Sequence, residues 1–309
     1  MRGGRVSDIL GLLIAGISHR IRQATSAGGL SHASNPGTSV IRCLALLLSL
    51  IVAGCAAPPS PPAPVPPPPT AALDAHIPAF ARWPYQAFSR EAAVQIALRE
   101  WRVFGQPVVF PNTELPVDEE REEGLWQRVG EYWWTGLDPR WREQGWTGIH
   151  DENGVIFPAS EDGNYAWSAA FVSYVMRTAG AGSRFPYSPT HSDYINAARR
   201  HGLGLEPATA LSAERVEVYA PQRGDLICYW RGRQPVSYDE LPTGRFPAHC
   251  DFVVAIQPGY LDVIGGNVDN AVAMKHIPAT VDGHLAGPDG VVIDPDHHYF
   301  VVLRVEYLR

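Results

Sequence analysis

The chain has a single lysine, Lys275, and only three methionines in 309 residues. Its basic charge is therefore almost all arginine, a usage that fits a GC-rich genome and assigns no mechanism. No internal repeat is visible, which excludes solenoids and propellers. There is no glycine-rich phosphate loop, no His-Glu pair of a zinc protease and no Gly-x-Ser-x-Gly elbow. The most apolar run, LALLLSLIVAG at 44–54, is too short to span a bilayer comfortably. Net positive charge is also missing. Removing residues 1–54 takes away five arginines and one aspartate, leaving 20 basic and 31 acidic residues, a net −11. That balance argues against nucleic acid and against electrostatic binding to anionic lipid heads.

The N-terminal third is the most legible part. The run 44–54 has the length of a signal-peptide h-region, and Arg42 supplies the charge before it. Val52-Ala53-Gly54-Cys55 has the form of a lipobox, in which the Cys55 thiol takes the lipid. From Pro58 to Pro69 the chain reads PPSPPAPVPPPP, which forms neither helix nor sheet because proline lacks the N–H and fixes φ. As polyproline II, residues 56–73 would hold a domain about 50 Å from the anchor. Ala56 stands where some lipoproteins carry an inner-membrane retention aspartate, so the expected location is the outer membrane, facing the periplasm. Residues 1–39 precede this scheme and read as an upstream extension, with initiation expected near Val40; a genuine cytoplasmic extension is the alternative. The expected organisation is thus 1–39 extension, 40–54 signal peptide, 55–74 lipidated cysteine and tether, and 75–309 a single globular domain.

Three cysteines survive such processing: Cys55, Cys228 and Cys250. The last two lie in segments that read as strands, DLICYW and HCDFVVAI, and could bridge if those strands are neighbours. Helices are expected at about 89–104 with Ser89 as cap, near 121–134, at about 165–179 and from Pro189 to His201 with Ser188 as cap. Strands are expected at 225–230, 249–256, 260–264, 271–276 and 299–307. Helices first and a meandering antiparallel sheet second describe an α+β domain. All nine tryptophans except Trp230 lie between Trp83 and Trp167 inclusive, and core packing is the commoner reason for such a cluster.

Three segments carry a possible chemistry. Ser168 lies in the first turn of WSAAFVSYVMRTAG (167–180), where a helix N-terminus favours developing negative charge. His249 opens the strand AHCDFVVAI, and Asn267 follows the two glycines of VIGGNVDNAV (263–272), read as a double-glycine turn. A hydroxyl, an imidazole to take its proton and an amide to hold the far ring nitrogen make a nucleophile–base–orienter set. Strand alternation puts His249, Asp251 and Val253 on one face and Cys250, Phe252 and Val254 on the other. His191 and Asp193, in PYSPTHSDY, are read as cleft lining or as polar capping. Asp294, Asp296, His297 and His298 have no recognised metal spacing, so no metal and no cofactor is expected.

The order of a helix-borne nucleophile, a Gly224-Asp225-Leu226 strand, a His-x-x-x-Val-Val strand and a Gly-Gly-Asn segment resembles the papain-like CHAP and NlpC-type peptidoglycan amidases and endopeptidases. More closely, the chain resembles the domain-of-unknown-function family 2272, over about 85–309 and most densely at 167–180, 223–233 and 249–272. The resemblance implies a papain-like fold, a peptidoglycan or muropeptide ligand, Ser168 at the nucleophile position, His249 as base and Asn267 as orienter. It also implies Asn164 or Tyr165 near the oxyanion site. The departure is chemical: the superfamily's nucleophile is a thiol, and a serine hydroxyl needs concerted removal of its proton. The implied activity is cell-wall amide hydrolysis; a disarmed site that only binds the wall or a periplasmic partner is the alternative.

Overall fold

The computed structural model describes residues 87–109, 119–206 and 209–308, all belonging to one compact unit. The expected signal segment, Cys55 and proline tether lie outside the described residues. Helix α1 runs Arg90–Val103, and Ser89 caps it by accepting the Ala92 N–H at 3.1 Å. Helix α2 spans Leu125–Gly136, α3 Ser168–Thr178 and α4 His191–Gly202. The second and third helices start three to four residues later than their apolar periodicity suggests, because single 3₁₀ segments at Glu119–Arg121 and Ala159–Tyr165 precede them. Helix α4 likewise begins at His191 with Thr190 as N-cap. Ser188 instead accepts the Thr190 N–H and donates to Asp193, which fixes the approach to the helix rather than its first turn.

Helix α3 is more deeply buried than an amphipathic stripe requires. Every residue from Ser168 to Met176 is buried, since α1 and α2 cover one side and the sheet the other. Gly136 permits this approach: a Cβ there would lie 2.7 Å from the Ala170 carbonyl and 2.8 Å from the Tyr174 amide. Where the three helices meet, the fully buried Glu100 accepts from Arg128 Nε and Nη2 at 2.6 Å and from Tyr132 at 2.9 Å. Burial alone would raise the Glu100 pKa, but those donors outweigh it and hold the carboxylate ionised.

The strands are β1 Val108–Val109, β2 Leu211–Glu214, β3 Leu226–Trp230, β4 Ala248–Gln257, β5 Tyr260–Val268, β6 Ala271–Pro278 and β7 Tyr299–Val305. They form one sheet in the order β1-β6-β5-β4-β3-β7-β2. The β3–β6 run is the expected antiparallel meander. The whole sheet is mixed, however, because β1 pairs parallel with β6. Both β1 and β2 were absent from the sequence expectation, being only two and four residues long. The Gly-Gly segment is also not a turn. Strand β5 continues through Gly265 and Gly266, and the reversal falls at Asp269-Asn270, with φ of 49° and 63°. Two successive left-handed residues are what a two-residue hairpin of the twist-matched kind demands, and Asp and Asn tolerate that region.

The sheet is buried on both faces. Cys250, Phe252 and Val254 of β4 join the helix-side core, while Val253 joins a second core with Ile227, Val263, Ile277 and Val302. That second face is covered by loops bearing Val216, Leu285 and Ala286. Strands β3 and β4 place Cys228 directly opposite Cys250, and the two form a disulfide. A bridge closing a loop of this sequence separation, 22 residues, contributes about 2–4 kcal/mol, mainly by restricting the unfolded chain. Urea unfolding of the oxidised and the reduced protein should therefore differ by about that amount; coincident curves would assign the bridge no role in stability.

Candidate active site

Ser168 is the first residue of α3, whose N-cap, Trp167, provides no side-chain hydrogen bond. The first N–H groups of the helix thus lack intrahelical acceptors, and the positive end of its dipole falls at the serine. Trp167 is held by its indole N–H, which donates to Glu120, and it stacks on Phe104 with ring centroids 5.9 Å apart. These contacts fix where α3 begins.

The hydroxyl meets a histidine, and that histidine is His191. Ser168 Oγ lies 2.7 Å from His191 Nε2, and both side chains are about 95% buried. The far nitrogen, Nδ1, is hydrogen-bonded to the Tyr194 hydroxyl. His191 opens α4, and Tyr194 follows it by three residues, on the same face of the first turn. An i, i+3 His-Tyr pair at a helix start is the signal that the sequence offers for this contact; the sequence reading of this segment rests on His191 and Asp193 and does not use Tyr194.

The expected hydrogen bond from Ser168 to His249 is therefore replaced. Along β4 His249 alternates with Cys250 and Phe252, which join the helix-side core, and its ring is taken up by Asp251 two residues on. There His249 Nε2 lies 3.0 Å from Asp251 Oδ1, and Lys275 Nζ lies 2.8 Å from Asp251 Oδ2. Lys275 also sits 4.8 Å above the Tyr229 ring. His249 still adjoins the dyad, its ring centroid 5.3 Å from that of His191.

The electrostatics follow from burial. Desolvation, with the neighbouring His249 adding to it, pushes the His191 pKa well below the ordinary 6.5. His191 is thus neutral at pH 7, with one ring nitrogen able to accept. Desolvation likewise lowers His249, outweighing the opposing pull of Asp251. Burial would raise Asp251, but Lys275 and His249 hold it ionised far below the usual carboxylate range.

Gly265 and Gly266 make this juxtaposition possible. A Cβ on Gly265 would collide with Asp251 Oδ1 and lie 2.8 Å from His249 Nε2. On Gly266 it would lie 2.5 Å from Phe171 Cβ and 2.8 Å from the Trp167 ring. One glycine admits the charged cluster on one face, and the next lets α3 come down on the other.

Ser168 and His191 open onto a cleft of about 440 Å³ that Asn267, Thr190, Arg231 and Asp269 also line. Asn267 adopts a left-handed φ of 53°. It shares the cleft with the serine, while Tyr194 holds the far nitrogen of the histidine that meets Ser168. Asn164 is exposed and Tyr165 is engaged elsewhere: its ring stacks on Phe157 at 3.8 Å and meets Trp146 edge-on. Neither lines the cleft, although Asp162, Gly163 and Ala166 of the same segment do. Among the 294–298 cluster, Asp294 accepts from the Asp296 N–H and lies 3.0 Å from His297 Nδ1, an ordinary turn-closing arrangement. Among the described residues no group of three or more His, Cys, Asp or Glu side chains is arranged to hold a metal.

The model of a family described as uncharacterized proteins conserved in bacteria, DUF2272, matches residues 120–305. That span runs from the 3₁₀ turn before α2 to the last residue of β7 and includes every side chain of the dyad, the charged cluster and the cleft. No curated protein and no solved structure matches the chain. With more than half of its length matched, the chain belongs to the domain-of-unknown-function family 2272.

Proposed function

We propose that the protein is a lipid-anchored envelope hydrolase of papain-like descent that cleaves amide bonds in cell-wall peptides through a Ser168–His191 dyad. The observation that carries this reading is the 2.7 Å contact between Ser168 Oγ and His191 Nε2, at the uncapped start of α3, on the wall of a cleft. In the reaction Ser168 Oγ attacks the scissile carbonyl while its proton passes to Nε2. Tyr194 accepts from the Nδ1–H and so fixes the tautomer that leaves Nε2 free to act. The first N–H groups of α3 face the developing oxyanion. The imidazolium then returns its proton to the departing amine, and water resolves the acyl-enzyme by the same route in reverse.

The segment order that resembles the papain-like hydrolases supports the choice of a wall peptide as substrate. The Cys228–Cys250 bridge supports an oxidising compartment, in keeping with the lipobox at Cys55 and the tether that follows it. One observation favours a second reading, a wall-binding domain without turnover: the burial that keeps His191 neutral also makes its protonated form costly.

Ser168→Ala should abolish release of products from defined muropeptides, read by mass spectrometry. His191→Gln should lower the rate by about 10²–10⁴-fold, and His249→Gln by much less. Ser168→Cys should retain part of the rate, because the helix end and the imidazole suit a thiolate. The general base must be unprotonated, and its pKa lies below 6.5, so kcat/KM should stay level as pH falls through 6.5 and decline only in more acid solution. A larger loss at His249 than at His191 would contradict the dyad, and wall binding without turnover would favour the second reading.

The anchor has its own test. Labelled palmitate should enter the wild type and be absent from Cys55→Ala, which should leave the membrane fraction. Wild type that takes up no label and fractionates as soluble would contradict the lipoprotein assignment.

A further inference from the structure

The charges around the cleft divide into two kinds. Asp162 is held by Arg121 at 2.8 Å, and Asp193, two residues beyond His191, by Arg245 at 2.9 Å. Arg231 and Asp269 both line the cleft, both are exposed, and among the described residues neither forms an ion pair. Among the described residues Arg231 is the only arginine or lysine lining the cleft. We infer that Arg231 and Asp269 form a subsite for a ligand group that carries both a carboxylate and an ammonium, an amino-acid-like head presented beside Ser168.

Each charge rides on an ordered support. Arg231 follows β3 directly, and its backbone N–H donates to the Pro247 carbonyl at 3.1 Å, tying it to the Pro247–Ala248 wall of the cleft. Asp269 is the first residue of the tight β5–β6 turn, held with φ of 49°. Side chains carried by strand ends and a two-residue turn keep their positions better than those of a long loop. A guanidinium grips a carboxylate through two parallel N–H bonds, and a carboxylate accepts readily from an ammonium. Asn267, Asn270 and Thr190 supply neutral hydrogen-bonding groups on the same wall, and Phe246 and Pro247 supply apolar surface. A ligand bearing only one of the two charges would leave the other partner facing water, which gives discrimination by charge pattern.

The subsite rests on the hydrolase reading for its setting, yet its test is a binding measurement that turnover does not affect. The probes are synthetic wall stem peptides whose terminal residue has a free or amidated carboxylate and, separately, a free or acetylated amine. Binding is followed by calorimetry to the full chain carrying Ser168→Ala. Blocking either charge should weaken binding by about tenfold. In Arg231→Gln the carboxylate effect should vanish while the amine effect remains, and in Asp269→Asn the reverse should hold. Arg231→Lys should recover part of the carboxylate effect. Equal affinity for all four probes, or charge effects that persist unchanged in both variants, would overturn the subsite. Turnover by the wild type without charge discrimination would overturn it too and leave the hydrolase reading standing. Discrimination without turnover would support the subsite and count against the hydrolase.

Discussion

Asp251 decides the arrangement at the cleft. It is fully buried on the sheet's second face and stays ionised only because Lys275 and His249 lie against its two oxygens. Removing one partner of such a buried pair costs about 3–5 kcal/mol, since the other charge is left without compensation. His249 is thereby committed, and the side chain that meets Ser168 comes from another element, the start of α4. The chain's single lysine is thus a structural counter-ion at the edge of the site.

The second constraint is steric. Two successive glycines in β5 serve opposite faces of one strand, one beneath the Asp251–His249 pair and one beneath α3. Any side chain at either position would push the charged cluster or the helix start away from the cleft. The register shift of the β5–β6 pair between Gly265 and Val268 follows in the same segment, and bulges of this kind re-aim side chains next to sites. Asn267 lies within that shift and Asp269 opens the turn just beyond it, and both line the cleft. The α4 start adds the dyad's base, so three elements distant in sequence meet around one opening.

Much of the fold was legible in the sequence. Ser89 reads as a cap and is one, and the strand segments 225–230 and 249–256 are neighbours that carry the disulfide. The alternation along β4 was also read correctly, with Cys250 facing away from His249. Its consequence was missed, because one strand's periodicity says which residues share a face but not which face the helices cover. Ser168 and Asn267 both line one cleft, and His249 does not. The His191–Tyr194 pair carried only an i, i+3 spacing, which ordinary helix packing produces just as often. Arg231, in the segment after β3, falls within the 223–233 stretch of the resemblance but is not among the residues that carry it. The double glycine reads as a turn because glycine marks turns more often than close approaches within strands; the Asp269-Asn270 pair is the better turn signal.

The central claim is that a neutral His191 accepts the Ser168 proton at Nε2 while its Nδ1–H is held by Tyr194. Nitrogen-15 NMR of the histidine side chains reads this directly, since protonated and unprotonated ring nitrogens resonate far apart. The account predicts that His191 at pH 7 is the Nδ1–H tautomer with Nε2 bare, and that it stays so as pH is lowered through 6.5. A protonated Nε2, in either the other tautomer or an imidazolium, would make Ser168 an acceptor in this contact and contradict the account.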